Sequence, residues 1–149
     1  MTTQDSASDS YLERLPATLQ PAASYLMNKP EARCDMPFGD GAWVFKVADK
    51  MFALLYQREG RDCLNLKCDP QQALELRDIF DSVSAGYHMN KRHWNTIQLV
   101  GDVPAGELER MIDHSYALVY RGLTKAKQRE LATRYPEEQL LGVSAGSKE

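Results

Sequence analysis

An α+β domain built on an antiparallel sheet is the fold class that this 149-residue sequence predicts, and three observations carry it. Short segments rich in β-branched, aromatic and aliphatic residues succeed one another with only a few polar residues between them, so that neighbouring strands must run antiparallel. Stretches with apolar residues three or four positions apart precede, interrupt and succeed those segments, as amphipathic helices do. The resulting order, α-β-β-β-α-β-β-α-α, suits a two-layer sandwich in which helices cover one face of a five-stranded sheet and leave the other open.

Residues 1–9 are polar and Ser/Asp-rich, and they read as a disordered tail before a single domain over residues 10–136. Ser10 and Glu13 have the spacing of a capping box, Pro16 and Pro21 interrupt the helical pattern after it, and the main first helix is expected from about residue 18 to 28. Lys29-Pro30 ends it, and residues 31–40, punctuated by Pro37 and Gly39, read as a loop.

Strands are expected over residues 42–47 and 51–56, joined by a tight turn at Asp49-Lys50. With that turn Val47 faces Phe52 and Phe45 faces Leu54. Trp43, Phe45, Val47, Phe52 and Leu54 then form the core face, while Val44, Lys46, Met51, Ala53 and Leu55 form the other. Residues 63–67 alternate as a third, half-buried strand. Asp69-Pro70 starts a helix that runs to about Phe80, with Asp as N-cap and Pro at the first position. Pro104 opens a helix with its apolar stripe on Leu108, Met111, Ile112, Leu118 and Val119, and Thr124 caps a last helix to Tyr135. Residues 137–149 read as a flexible tail.

Between these helices lies the most distinctive stretch, Gly86-Tyr87-His88-Met89-Asn90-Lys91-Arg92-His93-Trp94-Asn95-Thr96-Ile97-Gln98. Read as a hairpin, its loop length can be argued from polarity. A three-residue loop, Lys91-Arg92-His93, directs Tyr87, Met89, Ile97 and Leu99 towards the helices. It leaves His88, Asn90, Trp94, Thr96 and Gln98 on the open face under a Lys91-Arg92 tip. A two-residue loop would mix polar and core residues on both sides.

The composition excludes several classes. No apolar run is long enough to cross a bilayer, and residues 1–10 lack the basic and apolar regions of a signal peptide. No membrane association is therefore expected, and the cytoplasm is the default compartment. Cys34, Cys63 and Cys68 are odd in number; 63 and 68 fall on opposite faces of one strand, which argues for thiols in a reducing compartment rather than a disulfide or a shared metal. The net charge of −3 is unevenly distributed: the strand segments 41–68 and 85–101 are together +4 and the remainder is −7. There is no Gly-rich phosphate loop, nucleophile elbow or metal-spaced His/Cys cluster, so neither an enzyme nor a cofactor is expected. His88 and His93 read as hydrogen-bonding residues, and His114 as an exposed one.

The run His88-Met89-Asn90-Lys91-Arg92-His93-Trp94-Asn95-Thr96-Ile97 resembles the signature of the MmcQ/YjbR family of small bacterial proteins. Pro37-Phe38-Gly39, Lys50-Met51-Phe52-Ala53, Leu64 with Lys67, and Ser115-Tyr116 add weaker matches over residues 20–133. The resemblance implies a fold similar to CyaY-like and secretion-chaperone-like domains. It also implies a role in binding double-stranded DNA through two basic hairpin wings, here the turn carrying Lys46 and Lys50 and residues 88–94. The site it implies is Lys46, Lys50, His88, Asn90, Lys91, Arg92, His93 and Trp94. The residues themselves suit such contacts, with cations for phosphates and Trp94 as a stacking surface. The competing expectation is a protein- or peptide-binding module, monomeric or weakly dimeric, that uses the open sheet face around Trp94.

Overall fold

In the computed structural model, which describes residues 6–142, six strands form one antiparallel sheet. The strands are β1 (Arg33–Asp35), β2 (Ala42–Val47), β3 (Lys50–Arg58), β4 (Arg61–Lys67), β5 (Val83–Ala85) and β6 (Trp94–Gln98). Their order across the sheet is β1-β2-β3-β4-β6-β5. The helices are α1 (Ser6–Leu12), α2 (Gln20–Met27), α3 (Pro70–Ile79), α4 (Ala105–Arg121), α5 (Lys125–Ala132) and α6 (Glu137–Leu141), with a 3-10 turn at Ala17–Leu19 before α2.

The sixth strand is β1, which lies inside the stretch that reads as a loop. Three residues next to Pro37 and Gly39 carry no alternation to recognise, yet they pair with β2 from Arg33↔Lys46 to Asp35↔Val44. From α1, Ser8 is fully buried against this edge: its Oγ donates to the Cys34 carbonyl (3.2 Å) and accepts from the Cys34 N–H (2.9 Å). A side chain thus occupies backbone groups that an edge strand would otherwise expose. Folded structure reaches beyond residues 10–136 at both ends, since α1 starts at Ser6 and Leu140 of α6 is buried. Of the expected tails, residues 1–5 and 143–149 lie outside the described residues.

The β2–β3 hairpin turns on Ala48 and Asp49, both at positive φ (48° and 67°), one residue earlier than the sequence suggests. Phe45 pairs with Ala53 and Lys46 with Met51, so Phe52 is an extra, bulged residue. The bulge reverses the expected facing of the rest of β3. Ala53 and Leu55 join Trp43, Phe45 and Val47 in the core, and Leu54 turns to the other side with Val44. Phe52 also stays in the core, edge-on to Tyr116 of α4 with ring centroids 5.2 Å apart.

Side chains of α2, α3, α4, α5 and α6 share this core with one face of the sheet. The caps reflect local chemistry. Asp69 accepts from the Gln72 N–H (3.2 Å) at the start of α3, and Thr124 from the Lys127 N–H (3.1 Å) at the start of α5. Helix α4 is tied to the strands through Ser115, whose hydroxyl donates to the Phe52 carbonyl (2.7 Å) and accepts from the Lys67 N–H (2.9 Å).

Candidate functional site: a groove on the helix-free sheet face

The opposite face of the sheet carries Val44, Leu54, Asn65 and Thr96 in one row across the strands, with Ala42, Tyr56, Cys63 and Gln98 in the next. Among the described residues no helix covers it, but it is not bare. Residues 86–93, expected to be half of a hairpin, leave the sheet after the short strand β5 and fold back over this face. The pairing partner of β6 is β5, through Val83↔Ile97, Ser84↔Thr96 and Ala85↔Asn95, and not residues 87–90. Tyr87 and Met89 consequently point away from the helices, contrary to the expected register.

A polar network inside the sheet holds this loop down. Asn65 is fully buried; its Oδ1 accepts from Tyr56 OH (2.8 Å) and Thr96 Oγ1 (2.7 Å), and its Nδ2 donates to the Tyr87 carbonyl (3.1 Å). Thr96 Oγ1 accepts in turn from the Tyr87 N–H (2.9 Å). Burial pushes the Tyr56 phenol up, which keeps its proton on the bond to Asn65. At the far end of the loop, Arg77 of α3 donates to Asn95 Oδ1 (2.7 Å) and to the carbonyls of Trp94 (3.4 Å) and Lys91. The Gly86 N–H donates to the Trp94 carbonyl (2.9 Å), and a Cβ at Gly86 would lie 2.8 Å from the Trp94 Cβ. Only glycine permits that approach.

The fold sets the residues of the expected site in different surroundings. Trp94, Thr96 and Gln98 lie on the helix-free side as the register argument requires, but Trp94 is buried at 9% exposure beneath the loop and offers no stacking surface. Lys46 is ion-paired with Asp35 (3.2 Å), and Lys91 Nζ donates to the Gly86 carbonyl (2.9 Å). Asn90 turns the loop by accepting the Arg92 N–H (3.0 Å). His93 is half-buried, and its carbonyl accepts from the Cys68 N–H (2.8 Å). Lys50, Arg92 and His88 are exposed. His88 adopts φ 59°, an unusual left-handed conformation for a residue with a side chain. That turn lets its neighbours Tyr87 and Met89 both face the same groove.

The groove encloses about 420 Å³ along β3. Met51, Leu54, Tyr56 and Asn65 form its floor, the loop residues Tyr87, His88 and Met89 one wall, and the linker before β2, with an exposed Phe38, the other. Tyr87 stacks against Tyr56 (centroids 6.2 Å apart, planes at 25°), and the Arg58 guanidinium carbon sits 3.9 Å from the Tyr87 ring centre. A site of this size, apolar with a few oriented polar groups, is suited to a ligand or a short chain segment. Phe38, Tyr56 and Met89 were outside the expected site. Met89 belongs to the most distinctive motif and Phe38 to a weaker one, and their convergence on one groove is visible only in three dimensions.

A second, smaller cavity of about 100 Å³ lies between α3, α4 and the sheet, and it includes Cys68 and His114. Burial pushes the Cys68 thiol up to about 11 and lowers His114 below its ordinary 6.5. His114, expected to be exposed, is half-buried and its Nε2 accepts from the Asp69 N–H (3.3 Å). All three cysteines are buried. Among the described residues no helix is long and apolar enough to cross a membrane.

Comparison with known proteins gives a consistent picture. The model of the YjbR family matches residues 27–118, a span that includes the whole groove. The Escherichia coli K12 protein YjbR, described as uncharacterized, is 32% identical over 114 residues, which are 76% of this chain and 97% of that protein. The Escherichia coli O157:H7 protein YbdF, also uncharacterized, is 38% identical over 95 residues, 64% of this chain and 78% of its own. Among solved structures, the Deinococcus radiodurans protein DR2400, with a DUF419 domain, superposes with a TM-score of 0.71 at 38% identity, covering 76% of this chain and 87% of that one. A protein from Pseudomonas syringae gives a TM-score of 0.60 at 29% identity, covering 66% and 96%.

Proposed function

The chain belongs to the YjbR family, and we propose that it is a non-catalytic binding module that takes an apolar segment of a peptide or protein partner into the groove on its helix-free sheet face. The observation that carries this reading is the groove itself, walled by the 86–93 loop and floored by Met51, Leu54 and Tyr56. Its lining is mostly apolar and aromatic, and its shape is held by a buried hydrogen-bond network. Kinship with CyaY-like and secretion-chaperone-like domains is part of the same proposal, and so is a cytoplasmic setting.

Amide and methyl NMR during titration with pools of Leu- and Phe-containing hexapeptides tests the reading. Shifts concentrated at Met51, Leu54, Tyr87 and Met89 are the expected outcome, and their loss in a Leu54→Gln variant of unchanged Tm would corroborate it. Saturating peptide with no perturbation of these residues would refute it.

Double-stranded DNA is the second reading, and one observation favours it. The turn bearing Lys50 and the loop bearing Arg92 emerge at the same end of the sheet, because β3 begins where β4 ends and β6 begins. Against it stand the engagement of Lys46 by Asp35 and of Lys91 by the Gly86 carbonyl, which leaves Lys50 and Arg92 as the cations of the expected set whose side chains make no such contact among the described residues.

A further inference from the structure

We propose that Arg58 and Arg61 bind a carboxylate of the segment that fills the groove, so that the preferred partner sequence sets an acidic side chain beside an apolar or aromatic one. This rests on the groove being the seat of a peptide, and it adds what that peptide must carry.

Arg58 and Arg61 are directly opposed across the β3–β4 hairpin, on the same strand parity as Tyr56 and Cys63, and therefore on the helix-free face. Opposed like charges on neighbouring strands repel, and an anion between them would relieve that cost. Some cations of this fold are held by a carboxylate, Arg14 by Asp40, Lys29 by Asp113 and Lys46 by Asp35. Among the described residues neither Arg58 nor Arg61 is within ion-pair distance of a carboxylate, although Glu59 and Asp62 are adjacent in sequence. Asp62 instead accepts from Gln57 Nε2 (2.8 Å), and Glu59 lies in the turn with φ 53°.

Neither arginine lines the groove itself, but Arg58 adjoins it through Tyr87, and Arg61 is its direct neighbour across the hairpin. The Arg58 guanidinium carbon sits 3.9 Å from the centre of the Tyr87 ring, which stacks on Tyr56, so the cation is held against a wall of the groove. Gln98, paired with Cys63, adds a half-buried amide to the adjacent row. Two planar guanidinium groups suit the bidentate geometry of a carboxylate. A phosphodiester backbone fits less well, because two cations make too few phosphate contacts and the groove floor beside them is apolar.

The test uses the intact chain and two dye-labelled hexapeptide pools with Phe or Leu at a central position. One pool carries Asp or Glu at the flanking positions, and the other carries Asn or Gln there. Fluorescence anisotropy should give at least tenfold tighter binding of the acidic pool. Arg61→Gln, which leaves the stacked Arg58–Tyr87 contact in place, should reduce that preference. Arg58→Gln with Arg61→Gln should abolish it while the amide pool still binds. Equal binding of the two pools by the unaltered protein would overturn the carboxylate proposal and leave the groove reading standing. No binding of either pool would overturn the groove reading and the carboxylate proposal with it. Displacement of the acidic pool by single-stranded oligo-dT, lost in the double variant, would assign the arginines to nucleic acid and overturn the proposal as well.

Discussion

Asn65 is an amide with no exposed surface in the middle of a sheet face that the sequence pattern leaves open, and its partners explain why it is tolerated there. A buried amide without hydrogen bonds costs about 1–3 kcal/mol, whereas this one joins Tyr56, Thr96 and the Tyr87 carbonyl. His114 presents the opposite balance. Its pKa is lowered first by burial and then by Arg121, with Asp69 opposing. The unfolded chain therefore takes up a proton before the folded one. The stability contributed by the neutral ring is complete above its ordinary value of 6.5 and is lost as pH falls towards the lower folded value. In thermal unfolding between pH 8 and pH 5, the native protein should lose Tm more steeply than a His114→Gln variant. Parallel curves would show that the ring is not held neutral.

Among the elements, the 86–93 loop does most to shape the groove. Its three moorings differ in kind: a side-chain network from β4 and β6, the guanidinium of Arg77 from α3, and the bare Cα of Gly86 against Trp94. The last is the easiest to break. A methyl group at position 86 would stand 2.8 Å from the Trp94 Cβ, 2.9 Å from its carbonyl oxygen and 3.1 Å from the Met89 Cβ. Gly86→Ala should therefore destabilise the fold by about 1–3 kcal/mol, read from the midpoint of urea unfolding, and should also displace the Tyr87 wall of the groove. An unchanged midpoint would mean that the loop yields without cost. The bulge at Phe52 acts on a similar scale. One extra residue exchanges Leu54 for Leu55 in the core and so supplies Leu54 to the groove floor.

For the molecule as a whole, charge distribution separates the two readings of function. The strand segments carry +4 and the remainder −7, but the strand-borne cations do not form one field. Lys50 and Arg92 lie at one end of the sheet, and Arg58 and Arg61 at the other. If the first pair binds duplex DNA, affinity should fall steeply between about 50 and 200 mM salt, and Lys50→Gln with Arg92→Gln should flatten that dependence. Retention of a duplex measured across that range decides the matter; no shift at the lowest salt excludes this mode. Arg58→Gln with Arg61→Gln should leave any such binding unchanged, since those residues stand at the opposite end.

Much of the fold was legible in local chemistry. The Asp69-Pro70 start of α3, the Thr124 cap, the three central strands and the parity that sets Trp94, Thr96 and Gln98 away from the helices all arise from short-range pattern. Such features depend on one residue and its near neighbours, and these the chain specifies directly. Strand β1, the Phe52 bulge and the irregular 86–93 loop depend on partners distant in sequence. Arg33–Asp35 becomes a strand only because β2 lies beside it, and Tyr87 turns from the helices only because Asn65 and Thr96 receive its backbone. By itself the sequence determined the family and the class of fold. Tertiary structure alone decided that Trp94 is covered, that Lys91 is engaged, and that Phe38, Leu54, Tyr87 and Met89 form one groove, because buried polar groups choose their partners in space and not along the chain.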